Sequence, residues 1–463
     1  MSRTALTILL MLALSAVVIF WYIEDSQGEN EIIFPDPNLE AAIRSEINKP
    51  TGSIYASDLK GVDGLEASNR DIKDITGLEY CIDLETLDLS GNQIGNLLPL
   101  SGLTKLKYLD LSNNQITDIS ALSGLTNLTT LNLDVNKISN LLPLSGLGNL
   151  ESLSLGANQI IDIKPLSGLA NLTTLELGVN KISNLLPLSW LGDLENLSLS
   201  ANQISNIKPL MGLIKLKNLD LSHNQIKIIS PLSGLTNLKI LYLGSNQIID
   251  LKPLMGLTNL TTLGLRGNQI TDIGPLSGLT KLRWLGLSYN KISDISPLSN
   301  LFNMDYLVLS HNQITDVSPL LGLSKLKNLS LDGNQISNLL PLSSLTSLEI
   351  LDLRSNLINN ISSLSKLINL KMLSLSGNQI ADVSPLSGLN NLKVLFLWSN
   401  QIINLSPLSR LFDLEWLDLR SNRITDLWPL SRLINLKSLN LQDNNITGEV
   451  SALSKITDLK IVL

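Results

Sequence analysis

Apolar residues recur along this chain in a 22-residue frame, written LxxLxxLxLxxNxIxxIxPLxxL. The frame keeps its phase, without insertion or deletion, from residue 92 to residue 444. The two leucines of LxL alternate with variable residues, which predicts a strand that is apolar on one side and variable on the other. Since each copy has one strand and cannot bury its leucines alone, neighbouring copies are expected to stack with their strands parallel.

An asparagine follows the predicted strand in every copy. Its amide both donates and accepts hydrogen bonds, so a stacked row can satisfy the turn backbone of neighbouring copies. In 14 copies a proline stands seven residues later, where its missing N–H suits a return segment better than a strand. The sequence thus predicts a structural asparagine ladder at Asn92, Asn114, Asn136, Asn158, Asn180, Asn202, Asn224, Asn246, Asn268, Asn290, Asn312, Asn334, Asn356, Asn378, Asn400, Asn422 and Asn444.

These residues resemble the leucine-rich repeat family, specifically its 22-residue bacterial class typified by internalins. The resemblance covers the chain from about Phe34 onward. It implies an α/β solenoid, a curved horseshoe with a parallel β-sheet on the concave face and short 3-10 turns on the convex face. Residues 84–463 would hold seventeen repeats and a partial terminal strand. After Asn444 the frame gains one residue, and the chain stops within the next predicted strand.

Residues 34–83 are expected to form an N-terminal helical cap and a degenerate first repeat. A cap covers the apolar end of the first repeat, and the resemblance implies a helical one. Arg70 stands where the ladder would place an asparagine, and Cys81 stands at a leucine position, which predicts a buried small apolar residue. Asn38 is a plausible N-cap for residues with helical spacing, namely Leu39, Ala42, Ile43 and Ile47.

The stretch from Thr4 to Ile23 contains no charged residue, follows Arg3 and precedes a run of acids. At ~1.5 Å per residue it would span ~30 Å, about one bilayer core. Residues 1–23 are therefore predicted to be a signal anchor, with a cleaved signal peptide as the alternative. Both interpretations place the repeats outside the cytoplasm, either anchored to the membrane or secreted. Residues 24–33 would form a short linker.

Composition argues against several classes of function. The formal net charge is −7 and the Lys and Arg residues are scattered along the chain, which disfavours nucleic acid as a partner. With one cysteine and two histidines, His223 and His311, the chain lacks an intramolecular disulfide and is poor in metal ligands and catalytic bases. No phosphate loop, HExxH, GxSxG or CxxC motif occurs. We expect no catalytic residue, no cofactor and no metal site.

Function is expected in the variable strand positions, which lie six, four and two residues before each ladder asparagine. In the first seven repeats they hold small polar residues, acids and one aromatic, Tyr108. The acids Asp88, Asp110 and Asp134 are interpreted as a solvated face rather than a cation site. From the eighth repeat onward, aromatic and arginine residues appear, and these are enriched in interface hot spots. The predicted partner-binding residues are Tyr242, Trp284, Tyr306, Arg354, Val394, Phe396, Trp398, Trp416 and Arg420.

Together these patterns predict an exported or membrane-anchored, non-catalytic protein that binds a protein or peptide on its concave face. A glycan ligand, self-association and exposed aromatics without a specific role remain alternatives for the variable positions. An intracellular leucine-rich repeat scaffold or regulatory subunit is the alternative for the whole chain, and the apolar N-terminus disfavours it.

Overall fold

The computed structural model describes residues 30–447, 450–454, 456–457 and 459–462. The predicted signal anchor, residues 1–23, lies outside the described residues, as does most of the predicted linker. In the described part of the chain no helix is long and apolar enough to cross a bilayer. The chain divides into two compact units, Met1–Gln159 and Ile160–Leu463.

The first unit has two short α-helices, followed by parallel strands that alternate with 3-10 segments. Each strand pairs with the next along the chain, and paired residues hold the same position in consecutive repeats, as Leu87 and Leu109 do. The predicted helical cap, parallel sheet and 3-10 turns are thus confirmed. The elements are α1 Pro37–Glu46, α2 Ala56–Leu59, β1 Gly64–Glu66, η1 Leu78–Tyr80, β2 Thr86–Asp88, η2 Leu98–Leu100, β3 Tyr108–Asp110, η3 Ser120–Gly124, β4 Thr130–Asn132, η4 Leu142–Leu144 and β5 Ser152–Ser154.

Asp36 caps α1 and ties it to the chain ahead of η1. One carboxylate oxygen accepts the amide N–H groups of Asn38 and Leu39 at 2.9 and 3.3 Å. The other accepts those of Lys73 and Asp74 at 2.7 and 3.2 Å. The prediction of Asn38 as the N-cap was wrong, because Asp36 is the N-cap and the helix begins at Pro37, which has no N–H to satisfy in the first turn.

The second unit repeats the same alternation of strands and 3-10 segments from η5 to β19. Its strands are β6 Thr174–Glu176, β7 Asn196–Ser198, β8 Asn218–Asp220, β9 Ile240–Tyr242, β10 Thr262–Gly264, β11 Trp284–Gly286, β12 Tyr306–Val308, β13 Asn328–Ser330, β14 Ile350–Asp352, β15 Met372–Ser374, β16 Val394–Phe396, β17 Trp416–Asp418, β18 Ser438–Asn440 and β19 Lys460–Val462. Its 3-10 segments are η5 Lys164–Gly168, η6 Leu186–Trp190, η7 Lys208–Gly212, η8 Ser230–Leu232, η9 Lys252–Leu254, η10 Gly274–Leu276, η11 Ser296–Leu298, η12 Ser318–Leu320, η13 Leu340–Ser344, η14 Ser362–Lys366, η15 Ser384–Leu386, η16 Ser406–Leu408, η17 Trp428–Leu430 and η18 Val450–Leu453.

The strands of the second unit also pair in chain order and in parallel. Leu439 of β18 pairs with Ile461 of β19, so the spacing of one repeat length persists to the last strand. The expectation of one extra residue before the terminal strand was therefore wrong, because β19 follows β18 at the ordinary repeat length and keeps the register of the other strands.

The core of each unit is built from the repeated leucines and isoleucines. In β13 and the residue after it, Leu329 and Leu331 are 1% and 0% exposed. Cys81 is fully buried at its leucine position, as predicted. Burial, followed by the nearby charge of Glu79, raises the pKa of the Cys81 thiol to about 12. This cysteine acts as a small apolar core residue and stays a thiol at neutral pH.

Asn334 shows how a ladder asparagine joins consecutive repeats. Its Nδ2 donates to the carbonyls of Leu309, Leu331 and Asp332 at 3.1, 2.9 and 3.3 Å. Its Oδ1 accepts the amide of Ile314 at 3.0 Å. The residue before each ladder asparagine is left-handed, with φ between 51 and 68°, so the turn bends at that residue and the asparagine side chain reaches back into the stack.

Candidate functional site

The predicted partner-binding residues all lie on one surface of the second unit. We call this surface the strand face; it consists of the side chains six, four and two residues before the ladder asparagines, from β9 to β17. In β11 the half-buried Trp284 alternates with the fully buried Leu285, as a strand with one exposed side requires. Tyr306 and Trp416 are 42% and 49% exposed at the same position of their strands.

Tyr242 and Trp284 form one aromatic group on the strand face, and their rings pack against two glycines of the sheet. Their rings meet edge to face, with centroids 6.1 Å apart, across the intervening strand β10. A Cβ at Gly264 would lie 2.6 Å from Cδ1 of Tyr242, and one at Gly286 would lie 2.7 Å from Cη2 of Trp284. The rings thus lie against the sheet because two successive repeats have no side chain at the middle position. Sequence inspection did not single out these glycines.

A groove of about 410 Å³ runs beside this group. Its walls combine aromatic side chains with a charged edge: Arg283 donates through Nε to Asp305 at 2.6 Å. The groove therefore offers apolar contact and charge to the same ligand. Its lining residues are Tyr242, Thr261, Thr262, Arg283, Trp284, Asp305 and Tyr306.

A second group lies on β16 and β17. Val394 pairs directly with Trp416, and Phe396 pairs with Asp418. Asp418 holds Arg420 through two parallel hydrogen bonds, at 3.0 Å from Nε and 2.7 Å from Nη2. The fixed guanidinium lies 5.8 Å from the ring centroid of Trp398, a cation–π distance.

Arg354 lies between the two groups and is held by Asp352 in the same way, with Nη2 and Oδ2 2.6 Å apart. At the end of β15 and two residues beyond it, Ser374 and Ser376 are 1% and 0% exposed. Their hydroxyls have no hydrogen-bond partner among the described residues. Ser374 pairs with Asp352 on one side and Phe396 on the other, and these larger neighbours account for its burial.

A stack of side chains at the end of the strands was missed by sequence reasoning. The Tyr289 and His311 rings stack with centroids 4.2 Å apart. The Arg266 guanidinium lies over the Tyr289 ring, 4.9 Å from its centroid, and His311 Nε2 lies 3.2 Å from Asp332 Oδ2. The signal was present, because Tyr289 and His311 directly precede the ladder asparagines of two consecutive repeats.

A row of basic residues along the edge of the strands was also missed. Lys and Arg are expected to be scattered along the chain, yet eight of them share one position of the repeat, seven residues before a ladder asparagine. They are Lys107, Lys217, Lys239, Arg283, Lys327, Lys371, Lys393 and Lys437. Several pair with an acid one repeat away, as Lys371 does with Glu349 at 2.6 Å. Among the described residues, Lys239 and Lys327 have no carboxylate within ion-pair distance.

The acids of the first unit are engaged in local hydrogen bonds. Asp88 accepts the amide of Ser90 at 2.8 Å, and Asp110 accepts Nδ2 of Asn132 at 2.9 Å. Burial raises the pKa of Asp134, although a bond from the Gly156 amide opposes that shift. Across the described positions, no group of His, Cys, Asp and Glu could hold a metal ion.

Solved structures with the same repeat architecture come from bacteria and plants. An internalin of Listeria monocytogenes is 32% identical, with 85% of this chain and 98% of that chain covered and a TM-score of 0.48. A leucine-rich repeat protein of Leptospira interrogans is 27% identical, with 88% and 97% covered and a TM-score of 0.60. The plant peptide hormone receptor RGFR1, in complex with RGF2, is 24% identical, with 85% and 69% covered and a TM-score of 0.68.

No curated protein sequence matches the chain. A family model for two-copy leucine-rich repeats matches more than half of it, at residues 104–146, 148–190, 193–233, 214–254, 258–300, 280–322, 302–344 and 368–410. A single-repeat model matches residues 80–97 and 432–449. The chain belongs to the leucine-rich repeat family, and its 22-residue repeat places it in the internalin-like class.

Proposed function

We propose that this protein is a non-catalytic recognition protein that binds a protein or peptide partner through the strand face of its second unit. The proposal rests on one observation: large aromatic and arginine side chains concentrate on β9 to β17. Tyr242, Tyr306 and Trp416 are each more than a third exposed there. Such side chains supply most of the binding energy at protein interfaces.

The arrangement of these side chains supports recognition rather than simple exposure. The Trp284 ring packs against Gly286, and Arg420 is fixed by two hydrogen bonds to Asp418. A side chain that is already held in place loses little conformational entropy when a partner binds. On β6 and β8, by contrast, the middle positions carry the acids Glu176 and Asp220. Within the second unit, the aromatic and arginine side chains at the exposed strand positions are thus confined to the strands from β9 to β17.

The fold is compatible with a peptide partner, since RGFR1 shares it and was solved in complex with RGF2. We also propose that the repeats act outside the cytoplasm, either anchored by the apolar segment at residues 4–23 or secreted after its removal. This part of the proposal rests on the sequence of that segment.

Affinity capture with the full chain, followed by hydrogen exchange of the complex, tests the recognition surface. We expect slower amide exchange in β9 to β17 on binding and unchanged exchange in the return segments η9 to η17. Protection confined to the return segments would contradict the proposal, and protection only on self-association would assign the strand face to a dimer contact. Loss of the repeats when intact cells are treated with protease tests export separately.

A further inference from the structure

We infer that the strand face takes an extended, acidic peptide segment of its partner, in which acidic and apolar side chains alternate. This inference rests on the proposed function and adds the chemistry of the ligand. Two parallel rows carry it. One is the aromatic and apolar row on the strand face, and the other is the basic row one residue before each strand.

The basic row gives the edge of this surface a charge opposite to that of the chain as a whole. Beside β9 to β17, the repeat position of this row holds five basic residues, Lys239, Arg283, Lys327, Lys371 and Lys393. The same position holds three acidic residues in other copies, Asp305, Glu349 and Glu415, so its net charge is positive in a chain of formal net charge −7. Lys239 and Lys327 are exposed and lack an ion-pair partner among the described residues. The charge of Lys239 is therefore available to a ligand, whereas that of Lys327 is partly shared with Glu349, whose pKa is lowered by a hydrogen bond from Lys371 and more weakly by Lys327.

Lys393 is also only weakly neutralised. Its Nζ lies 3.9 Å from Glu415, and Lys437 occupies the other oxygen of the same carboxylate. One carboxylate thus serves two ammonium groups. Additional carboxylates supplied by a ligand would relieve this imbalance, which favours an acidic partner over a neutral one.

The two rows border the same groove. Trp284 and Tyr306 form its aromatic wall, and Arg283 lies at its charged edge. The side chains of an extended peptide point alternately to opposite sides. A peptide that runs across the strands can therefore place one set of side chains on the aromatic row and the other set at the basic row.

The dimensions of the surface set the length of the segment. From β9 to β17 there are eight strand intervals, or about 38 Å at ~4.8 Å per interval, which an extended chain of about 12 residues spans. The acids on β6 and β8, Glu176 and Asp220, would repel a longer acidic segment on that side. The position of the ligand along the sheet is thus limited by charge as well as by shape.

Synthetic peptides of about 12 residues, with Trp, Phe and Leu at alternate positions, provide the probes. One set carries Asp and Glu at the remaining positions and a matched set carries Lys. We expect the full chain to bind the acidic set at least about tenfold more tightly, and this preference should shrink as NaCl rises from about 0.05 to about 0.5 M. Fluorescence anisotropy of labelled peptides measures both effects.

The variant Lys239→Glu/Lys327→Glu should abolish the preference for acidic peptides. Neither lysine has an ion pair to lose, so the fold is expected to persist. The matched control is Lys208→Glu/Lys252→Glu, which makes the same charge change on the exposed 3-10 segments η7 and η9. That control should keep the preference.

Equal affinity for acidic and basic peptides, or no binding of the acidic set at about 1 mM, would overturn the inference. Tighter binding of oligothymidylate than of the acidic peptides would also overturn it and would assign the surface to nucleic acid. If these results occur while Trp398→Ala/Trp416→Ala still weakens a captured partner, the inference fails and the proposed function stands. If that variant has no effect either, both fail.

Discussion

The indole of Trp284 lies over Gly286, two residues further along the same strand. A Cβ at residue 286 would lie 2.7 Å from Cη2 and 3.2 Å from Cζ3 of the ring. The absence of a side chain at residue 286 thus allows the Trp284 ring to lie flat and to meet Tyr242 edge to face. A glycine inside a strand marks a close approach of this kind.

Replacement of Gly286 by Ala should therefore move the Trp284 ring into solvent. We expect a red shift of the Trp284 emission and a stability loss of about 1 kcal/mol. The Trp284 emission of each protein is obtained by subtracting the spectrum of its Trp284→Phe derivative. Gly278→Ala is the control, because a Cβ there would have no neighbour within 4 Å. An unshifted Trp284 emission in Gly286→Ala would show that the ring does not depend on the glycine.

Loss of one ladder asparagine should destabilise the stack at that repeat. In Asn334→Ala four hydrogen bonds disappear and buried backbone groups lose their partners, so we expect a loss of about 2–3 kcal/mol in the free energy of unfolding. Asn303→Ala is the comparison, since Asn303 is exposed, donates to Thr280 O at 3.0 Å and accepts from Lys325 Nζ at 2.8 Å, so its loss leaves no buried group unpaired. Similar denaturation midpoints for the two variants would contradict a structural role for the ladder.

Asp36 should make the stability of the N-terminal cap depend on pH. Burial raises the pKa of its carboxyl, but four backbone amide bonds outweigh burial and hold the pKa below the ordinary value. A depressed carboxyl pKa stabilises the fold above the unfolded-state value, near pH 4, and this contribution is lost as pH falls through the folded-state pKa. Acid should therefore loosen the cap.

The variant Asp36→Asn tests this expectation. Its amide NH₂ would face the N–H groups of Lys73 and Asp74, so we expect a loss of about 1–2 kcal/mol at neutral pH. The difference from the native protein should shrink as pH falls from about 4 through the folded-state pKa, because the native carboxyl becomes protonated there as well. Thermal midpoints recorded across this range measure the difference, and a gap that persists unchanged in acid would rule out the carboxylate as its source.

Val179 carries backbone strain that a substitution should relieve. It directly precedes Asn180, has φ of 57° and is 58% exposed. The left-handed region is costly for β-branched residues and is tolerated by asparagine. Val179→Asn should therefore raise the free energy of unfolding by about 1 kcal/mol, whereas Val179→Ile, which keeps the branch, should bring no gain. Chemical denaturation of the three proteins measures the difference, and equal stability of Asn and Ile would argue against strain.

The repeat frame predicted the fold because its leucines, asparagines and prolines are constrained by the same stacking in every copy. The position of Trp284 on the strand face also followed from that frame. Its orientation did not, because it depends on Gly264 and Gly286, which are read as neutral small residues when each copy is considered alone. Likewise, the stack of Tyr289 on His311 arises between copies, and only a comparison of equivalent positions in consecutive repeats would have revealed it.

The N-cap was misplaced for a related reason. Asn38 and Asp36 are both good capping residues in isolation. The choice between them is made by the amides of Lys73 and Asp74, which come from a distant part of the chain and need a second carboxylate oxygen. Local propensity does not contain that information.

The central claim is that the aromatic strand face binds the partner. Its most direct test measures the affinity of a captured partner for two double variants. One is Trp398→Ala/Trp416→Ala on the strand face, and the other is Trp190→Ala/Trp428→Ala. Trp190 and Trp428 are 75% and 69% exposed but lie on the return segments η6 and η17. We predict that the first pair raises Kd at least about tenfold and the second leaves it unchanged, with thermal midpoints of both close to the native value. An unchanged Kd in the first variant, or an equal rise in both, would contradict the claim.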